Sequence, residues 1–348
     1  MKLNSRLGAK LLAGTAAISL ALTGCGSSET ASTGDSTASG DAGSANLSVT
    51  FLPKNLGNPY FDASSTGGKA AIEALGGTFN EVGPATATAD AQVSYINTLT
   101  QQQVGAIVVS ANDPAAICDA LNEARDAGIK VVTFDSDTNA ECRDLFVSQA
   151  DAAGIAKAQV DMIAEQIGDE GQIAILSASA NATNQNAWIE DMKSQLEADH
   201  PNIELVEVAY GDDDDQTSFD KTAALLQTYP DLKGIVSPTT VGIAAAARYV
   251  STSSFKGKVA VTGLGTPNQM REYVKDGTVT EFALWNPQDL GTLSAYAAAA
   301  LIKGDISGAE GDSFEAGDLG SFTVGADQTV LLGDPYRFNA DNIDDFDF

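Results

Sequence analysis

Histidine is nearly missing from this chain: among 348 residues there is one, His200. That excludes a multi-histidine metal site and leaves a single candidate base for a Ser-His-Asp or Cys-His pair. His200 stands in Glu197-Ala198-Asp199-His200-Pro201, a polar helix end before a proline. A solvated helix C-terminus is the expected place for it, since cations favour that end of the dipole. Basic residues are also scarce, 19 Lys and Arg against 47 Asp and Glu, for a formal charge of −28. A phosphate backbone requires a basic footprint, and no Lys/Arg cluster occurs outside the extreme N-terminus, so nucleic acid is excluded as a partner. Cysteine is limited to three residues: Cys25, Cys118 and Cys142. Apolar residues, by contrast, make up 43% of the chain, which excludes disorder throughout. The length is a prior for two domains.

Residues 1–24 carry Lys2, Arg6 and Lys10 with no acid, then an apolar run from Leu11 to Leu22, then Thr23-Gly24-Cys25. This is a signal-peptide pattern; the run is shorter than the roughly 20 residues a membrane-spanning helix needs. The ending Leu22-Thr23-Gly24-Cys25 resembles the lipobox of bacterial lipoproteins, in which the Cys becomes the lipidated first residue of the mature chain. Residues 25–46 would then be a flexible leash between lipid and domain, since Gly26 to Ala45 is almost wholly Gly, Ser, Thr, Ala, Asp and Glu. An ordinary cleaved signal with an incidental Cys is the alternative. With Cys25 committed to lipid, Cys118 and Cys142 are an even pair in an oxidising compartment, which points to a disulfide; two reduced thiols is the competing reading.

From Leu47 onward, short apolar β-branched runs alternate with segments of helical period. Strands are expected at Leu47 to Leu52, Ala106 to Ser110, Lys130 to Phe134, Gln172 to Leu176, Ile203 to Ala209, Gly234 to Ser237, Lys258 to Thr262 and Thr280 to Leu284. Helices are expected at Ala89 to Gln103, Pro114 to Ala127, Ala152 to Ile167, Gln185 to Asp199, Ser218 to Tyr229 and Gly242 to Val250. Continuous apolar strands separated by helices imply parallel sheets covered on both faces. The fold class is therefore α/β, two doubly wound parallel-sheet lobes. Ligands of open α/β sheets bind at the carboxyl ends of strands. There the sequence places Lys54, Asn58, Tyr60 and Phe61; Asn112; Asp135 and Asp137; Asn184, Gln185 and Trp188; Pro238, Thr239 and Thr240; and Trp285. Carboxylates and amides bond hydroxyls, and aromatic faces cover C–H patches, a combination that suits a neutral polyol.

Asn58-Pro59-Tyr60-Phe61, the run from Ala127 to Asp135, and the lipobox together resemble a periplasmic binding protein of an ABC sugar importer. The pieces Phe51-Leu52-Pro53-Lys54, Phe134-Asp135-Ser136-Asp137, Glu141-Cys142-Arg143, Asn184 to Trp188, Gly265-Thr266-Pro267-Asn268 and Asp345 to Phe348 are most similar to the rhamnose-binding and autoinducer-2-binding branch. The resemblance implies a type I fold with a three-segment hinge, expected near Ser148 to Asp151, Trp285 to Pro287 and Ser321 to Leu332. It implies a first lobe of residues 47–149 plus about 286–320 and a second of 150–285 plus about 321–348. It also implies a monomer anchored outside the cytoplasm by lipid, partnered by membrane permease subunits, without cofactor, metal or enzymatic activity.

Position by position, the autoinducer-2 binders' Lys, Asp, Gln and Pro match Lys54, Asp135, Gln185 and Pro238, whereas Asn184 stands for an Asp and Thr240 for an Ala. Ribose-type binders carry an Arg where this chain has Ser136, an Asp in the turn Gly263-Leu264-Gly265-Thr266, and a Gln at Trp285. These departures, with Trp285 and a Phe51/Tyr60/Phe61 neighbourhood, favour a ligand with an apolar patch, such as the methyl group of L-rhamnose. The resulting expected ligand set is Lys54, Tyr60, Phe61, Asn112, Asp135, Asp137, Asn184, Gln185, Pro238, Thr240 and Trp285.

Rival readings have definite requirements. A sugar sensor reporting to a membrane receptor would share fold and pocket. An enzyme would need paired carboxylates or a metal cage, and Asp135 with Asp137 is thin support. A repressor of this fold would need a helix-turn-helix where the lipobox stands. The run Asp212 to Asp215 lacks the Gly and distal Glu of a calcium loop and precedes a helix, where acids favour the dipole. Gly263-x-Gly265 reads as a turn, not a phosphate loop.

Overall fold

The computed structural model describes residues 46–348; the expected signal segment and Cys25 lie outside the described residues. The chain begins as alternating strands and helices: β1 (Ser48–Leu52), α1 (Pro59–Ala74), β2 (Thr78–Glu81), α2 (Ala89–Gln102), β3 (Ala106–Val109), α3 (Cys118–Asp126), β4 (Lys130–Phe134) and β5 (Leu145–Ser148). It then crosses into α4 (Ala152–Ile167), β6 (Gly171–Ser177), α5 (Thr183–Asp199), β7 (Ile203–Tyr210), α6 (Asp215–Thr228), β8 (Leu232–Ser237), α7 (Thr240–Ser251), β9 (Ala260–Gly263), α8 (Pro267–Lys275) and β10 (Glu281–Leu284). It returns through α9 (Pro287–Lys303), β11 (Ser313–Glu315), β12 (Ser321–Thr323) and β13 (Thr329–Leu331), and ends with β14 (Tyr336–Asn339).

The first lobe is built on one parallel sheet of order β13-β5-β4-β3-β1-β2, the second on a parallel sheet of order β7-β6-β8-β9. A bridge from Leu264 to Ala283 carries the second sheet on to β10, which pairs antiparallel with β14. Central strands such as Ala106–Val109 are buried along their whole length, as a sheet covered on both faces requires. The two-lobed α/β architecture expected from the sequence is the one observed. In each sheet the order reverses beside the first strand of the lobe, β1 against β3 and β6 against β8, and such switch points open a crevice at the strand ends.

Two of the hinge segments implied by the resemblance coincide with breaks between elements: Ser148 closes β5 while Asp151 caps α4, and β10 ends just before Asn286 caps α9. The third does not. Residues 321–332 were expected to cross into the second lobe, but β13 pairs parallel with β5 in the first sheet. Leu332 still donates its N–H to the Ser148 carbonyl at 2.9 Å. The crossing lies at 333–335, and only the segment from β14 onward belongs with the second lobe. A three-residue edge strand carries too little hydrophobic period to be read in advance.

Helices α1 and α9 pack against each other closely enough that side chains are forbidden at the contact. A Cβ on Gly291 would lie 1.8 Å from the Ser64 carbonyl oxygen, and one on Gly67 would lie 2.0 Å from that of Gln288. Both helices open with the same dipeptide, Asn58-Pro59 and Asn286-Pro287. The Asn side chain accepts from the N–H two residues on, and Pro fills the first helical position. Cys118, at the start of α3, and Cys142, in the turn before β5, bring their Cα atoms to 5.3 Å, inside the range a disulfide spans.

Candidate functional site

Between the two switch points lies a cavity whose walls come from both lobes. On the first-lobe side, β1 runs out through Pro53 into Lys54, a buried lysine. Its Nζ donates to Asn184 Oδ1 across the cleft at 3.1 Å and lies 3.7 Å from Asp135 Oδ2. Asp135 follows β4 with its backbone in the left-handed region, φ 59°. Its Oδ1 accepts from the Tyr60 hydroxyl (3.2 Å) and Asn184 Nδ2 (3.3 Å), and its Oδ2 from Ser110 Oγ (2.7 Å). Tyr60, on the first turn of α1, accepts in turn from Trp285 Nε1 at 2.9 Å, tying the first lobe to the second hinge segment. Burial, and then the Asp135 charge, push the Tyr60 phenol well above its ordinary pKa, so it remains a donor.

The apolar wall is aromatic. Tyr60 meets Phe61 edge-on at 5.1 Å and Trp285 at 6.2 Å; Trp188 of α5 meets Trp285 at 6.1 Å. Leu264 and Leu284 complete it. On the second-lobe side Gln185 is fixed by its carbonyl oxygen, which accepts from Ser177 Oγ (2.7 Å) and the Ala178 N–H (2.8 Å). The β8 exit supplies Pro238, Thr239 and Thr240, and the β7 exit supplies Asp213, which accepts from Thr239 Oγ1 at 2.6 Å. Burial raises the Asp213 carboxyl; Lys54 and the Thr239 bond counter that, while Asp135 and Asp212 add to it. Gly263 was expected in a turn but closes β9, paired with Ser237: φ is 137°, and a Cβ would lie 2.0 Å from the Ser237 carbonyl oxygen.

Of the residues singled out in the sequence, Lys54, Tyr60, Phe61, Asp135, Asn184, Gln185, Pro238, Thr240 and Trp285 line this cavity. Asn112 and Asp137 do not. Asn112 is a buried brace behind the wall, its Nδ2 donating to the Lys54 carbonyl oxygen at 2.9 Å and its N–H to Gln92 Oε1. Asp137 answers a different demand: Arg143 is buried, and its Nε donates to both Asp137 oxygens at 2.7 and 3.0 Å. Phe51 belongs to the core of the first lobe, against Phe79 and Phe134, and not to the cavity. His200 caps α5 and sits 2.6 Å from Asp169, remote from the site.

Asp213 was missed as a lining residue. The strand-exit rule applied to β7 points directly at it, but the four-acid run drew a helix-dipole reading. That reading holds for Asp214, which caps α6 by accepting from the Thr217 N–H at 2.7 Å. The run does not form a metal site: among the described residues, the one acidic or thiol grouping tight enough to hold an ion is Cys118, Glu141 and Cys142. Two of those three are the facing cysteines. Nor is any helix among the described residues long and apolar enough to cross a membrane.

Comparison with known proteins agrees with this geometry. A family model described as a periplasmic binding protein domain matches residues 49–306. A sugar ABC transporter protein from Actinomyces odontolyticus is 55% identical, with 86% of this chain and 97% of that one covered and a TM-score of 0.70. An ABC transporter solute-binding protein from Clostridium phytofermentas, solved with bound L-rhamnose, is 41% identical over 85% of this chain and 97% of its own, TM-score 0.83. LsrB from Clostridium saccharobutylicum, in complex with AI-2, is 28% identical over 86% and 99%, TM-score 0.81. These are binding proteins, not enzymes. The chain belongs to the periplasmic binding protein domain family, and its neighbours there are sugar-binding proteins of ABC transporters.

Proposed function

We propose that this chain is the extracytoplasmic substrate-binding lipoprotein of an ABC sugar importer and that it captures L-rhamnose between its lobes for delivery to a permease. The observation that carries the ligand is the 41% identity, over 85% of this chain and 97% of the other, to a solute-binding protein solved with L-rhamnose. The cavity chemistry supports it. Lys54, Gln185 and Thr240 offer polar contacts to ring hydroxyls, while Tyr60, Phe61, Trp188 and Trp285 provide an apolar wall for ring C–H groups and a methyl. Asn184 and Pro238 shape the second-lobe side. Lipid on Cys25 and a bond between Cys118 and Cys142 complete the reading of an exported, tethered monomer.

Autoinducer-2 is the second reading, favoured by Lys54, Asp135, Gln185 and Pro238 and by the likeness to an AI-2 complex, and opposed by Asn184 and Thr240. Calorimetric titration against L-rhamnose, other deoxyhexoses, hexoses, pentoses, polyols and autoinducer-2 separates them. Tight binding of L-rhamnose supports the proposal; silence toward it with clear heat from another ligand overturns the ligand assignment. Turnover of a sugar would overturn the non-enzymatic reading.

A further inference from the structure

The polar groups of the cavity differ in how much of their bonding capacity the protein already uses. Asp135 is nearly saturated: Tyr60 and Asn184 donate to Oδ1, Ser110 donates to Oδ2, and Lys54 stands beside Oδ2. Asn184 is likewise engaged, its Oδ1 taken by Lys54 and the Gln185 N–H and its Nδ2 turned to Asp135. Asp213 is different. One oxygen, Oδ1, accepts from Thr239, and Oδ2 has no hydrogen-bond donor among the described residues. The backbone that presents it is held firmly. The N–H groups of Gly211 and Asp212 donate to the Ser177 and Ala178 carbonyls of the neighbouring β6 exit at 2.9 and 2.8 Å. Asp212 and Asp213 both stand in the left-handed region, φ 55° and 50°, a conformation that non-glycine residues keep only when the surroundings impose it.

We propose that Asp213 is the specificity-determining carboxylate of the cavity: its Oδ2 accepts from a sugar hydroxyl on the second-lobe side, while Asp135 serves chiefly to anchor Lys54, Tyr60 and Asn184. This rests on the sugar reading above and deepens it. An ionised carboxylate accepts and cannot donate, so a ligand without a hydroxyl at that position leaves Oδ2 desolvated and unpaired, which rejects it strongly. The same oxygen, with Asp135 nearby and Lys54 the one buried lysine among the described residues, excludes sugar acids and sugar phosphates. The ligand class is a neutral ring sugar.

The test is calorimetric titration of the purified protein and of Asp213→Asn with L-rhamnose and with galacturonate as an anionic probe. Asparagine keeps an oxygen for Thr239 and replaces the free acceptor by a donor. The expected result is a folded variant whose L-rhamnose affinity falls about tenfold or more, with galacturonate silent on the wild type. A folded Asp213→Asn that loses less than tenfold, or a wild type that binds galacturonate as well as L-rhamnose, overturns the proposal. A wild type that binds no sugar overturns the functional reading instead, so the two failures are distinguishable. Should Asp213→Asn not fold, Thr239→Val, which frees the carboxylate from its one tether, is expected to weaken L-rhamnose binding at least threefold, and an unchanged affinity overturns the proposal.

Discussion

At the scale of single residues, the cavity is a set of groups whose partners decide their behaviour. Burial raises the Asp213 carboxyl, so its charged form costs stability in the folded state. The Asp213 contribution is fully present below the ordinary carboxylate pKa of about 4 and is lost as pH rises through the raised folded value. Ligand-free Asp213→Asn, freed of that cost, is expected to melt above the wild type at neutral pH. The gap should close as pH falls toward 4; a gap that widens on acidification contradicts the assignment. Tyr60 carries the opposite stake. Its hydroxyl both accepts from Trp285 and donates to Asp135, so Tyr60→Phe leaves the buried Trp285 N–H unpaired, removes one of the donors to Asp135, and should cost about 1–3 kcal/mol in denaturant unfolding. Most cavity residues were legible because strand exits are where α/β sheets bind ligands. Asn112 and Asp137 show the limit of that rule. A polar residue at a strand exit can equally serve a buried neighbour, and nothing in the sequence revealed that Arg143 would be buried and would claim Asp137.

Among the elements, α4 was read to its exact bounds, since Asp151 caps one end by accepting from the Gly154 N–H and Gly168 closes the other in the left-handed region. Helices α1 and α9 were read only as strand exits, although Asn-Pro marks the start of each. Their contact makes a sharp prediction. Gly291→Ala would drive a Cβ into the Ser64 backbone and should destabilise by about 2 kcal/mol or more, measured as a lower denaturant midpoint at unchanged slope. Strands β2 and β5 were not read, and the edge strands expected after Lys303 had no positions, since β11, β12 and β13 span three residues each, too few for a period to emerge. The cysteine pair makes a second prediction at this scale. A bond between the two would close a loop of sequence separation 24 between α3 and the turn before β5. Reduction, or Cys142→Ser, should therefore cost about 3 kcal/mol, seen as a lower melting temperature under reducing conditions, and an unchanged melt would argue for free thiols.

For the whole molecule, the two lobes meet across the cleft through Lys54 to Asn184 and Asn184 to Asp135, while Trp285 of the hinge bonds Tyr60 of the first lobe. Asn184 is therefore the residue both lobes share, and its amide permits the contact. Asn184→Asp would set a second carboxylate against Asp135, and like charges at that distance oppose closure. L-rhamnose affinity should fall about tenfold, the loss easing at higher salt only slightly because the pair is shielded from solvent. The two-lobe plan followed from the alternation of strands and helices, and the hinge segments from the family resemblance. The third hinge segment was misplaced, because its place depends on β13 pairing with β5, a contact across more than 180 residues that no local pattern encodes. The sequence contains two tryptophans in all, and both are in the cavity wall, 6.1 Å apart. The molecule therefore has a built-in optical gauge: its entire indole emission originates where the sugar would sit, so unlabelled protein should report occupancy by a change in its own fluorescence.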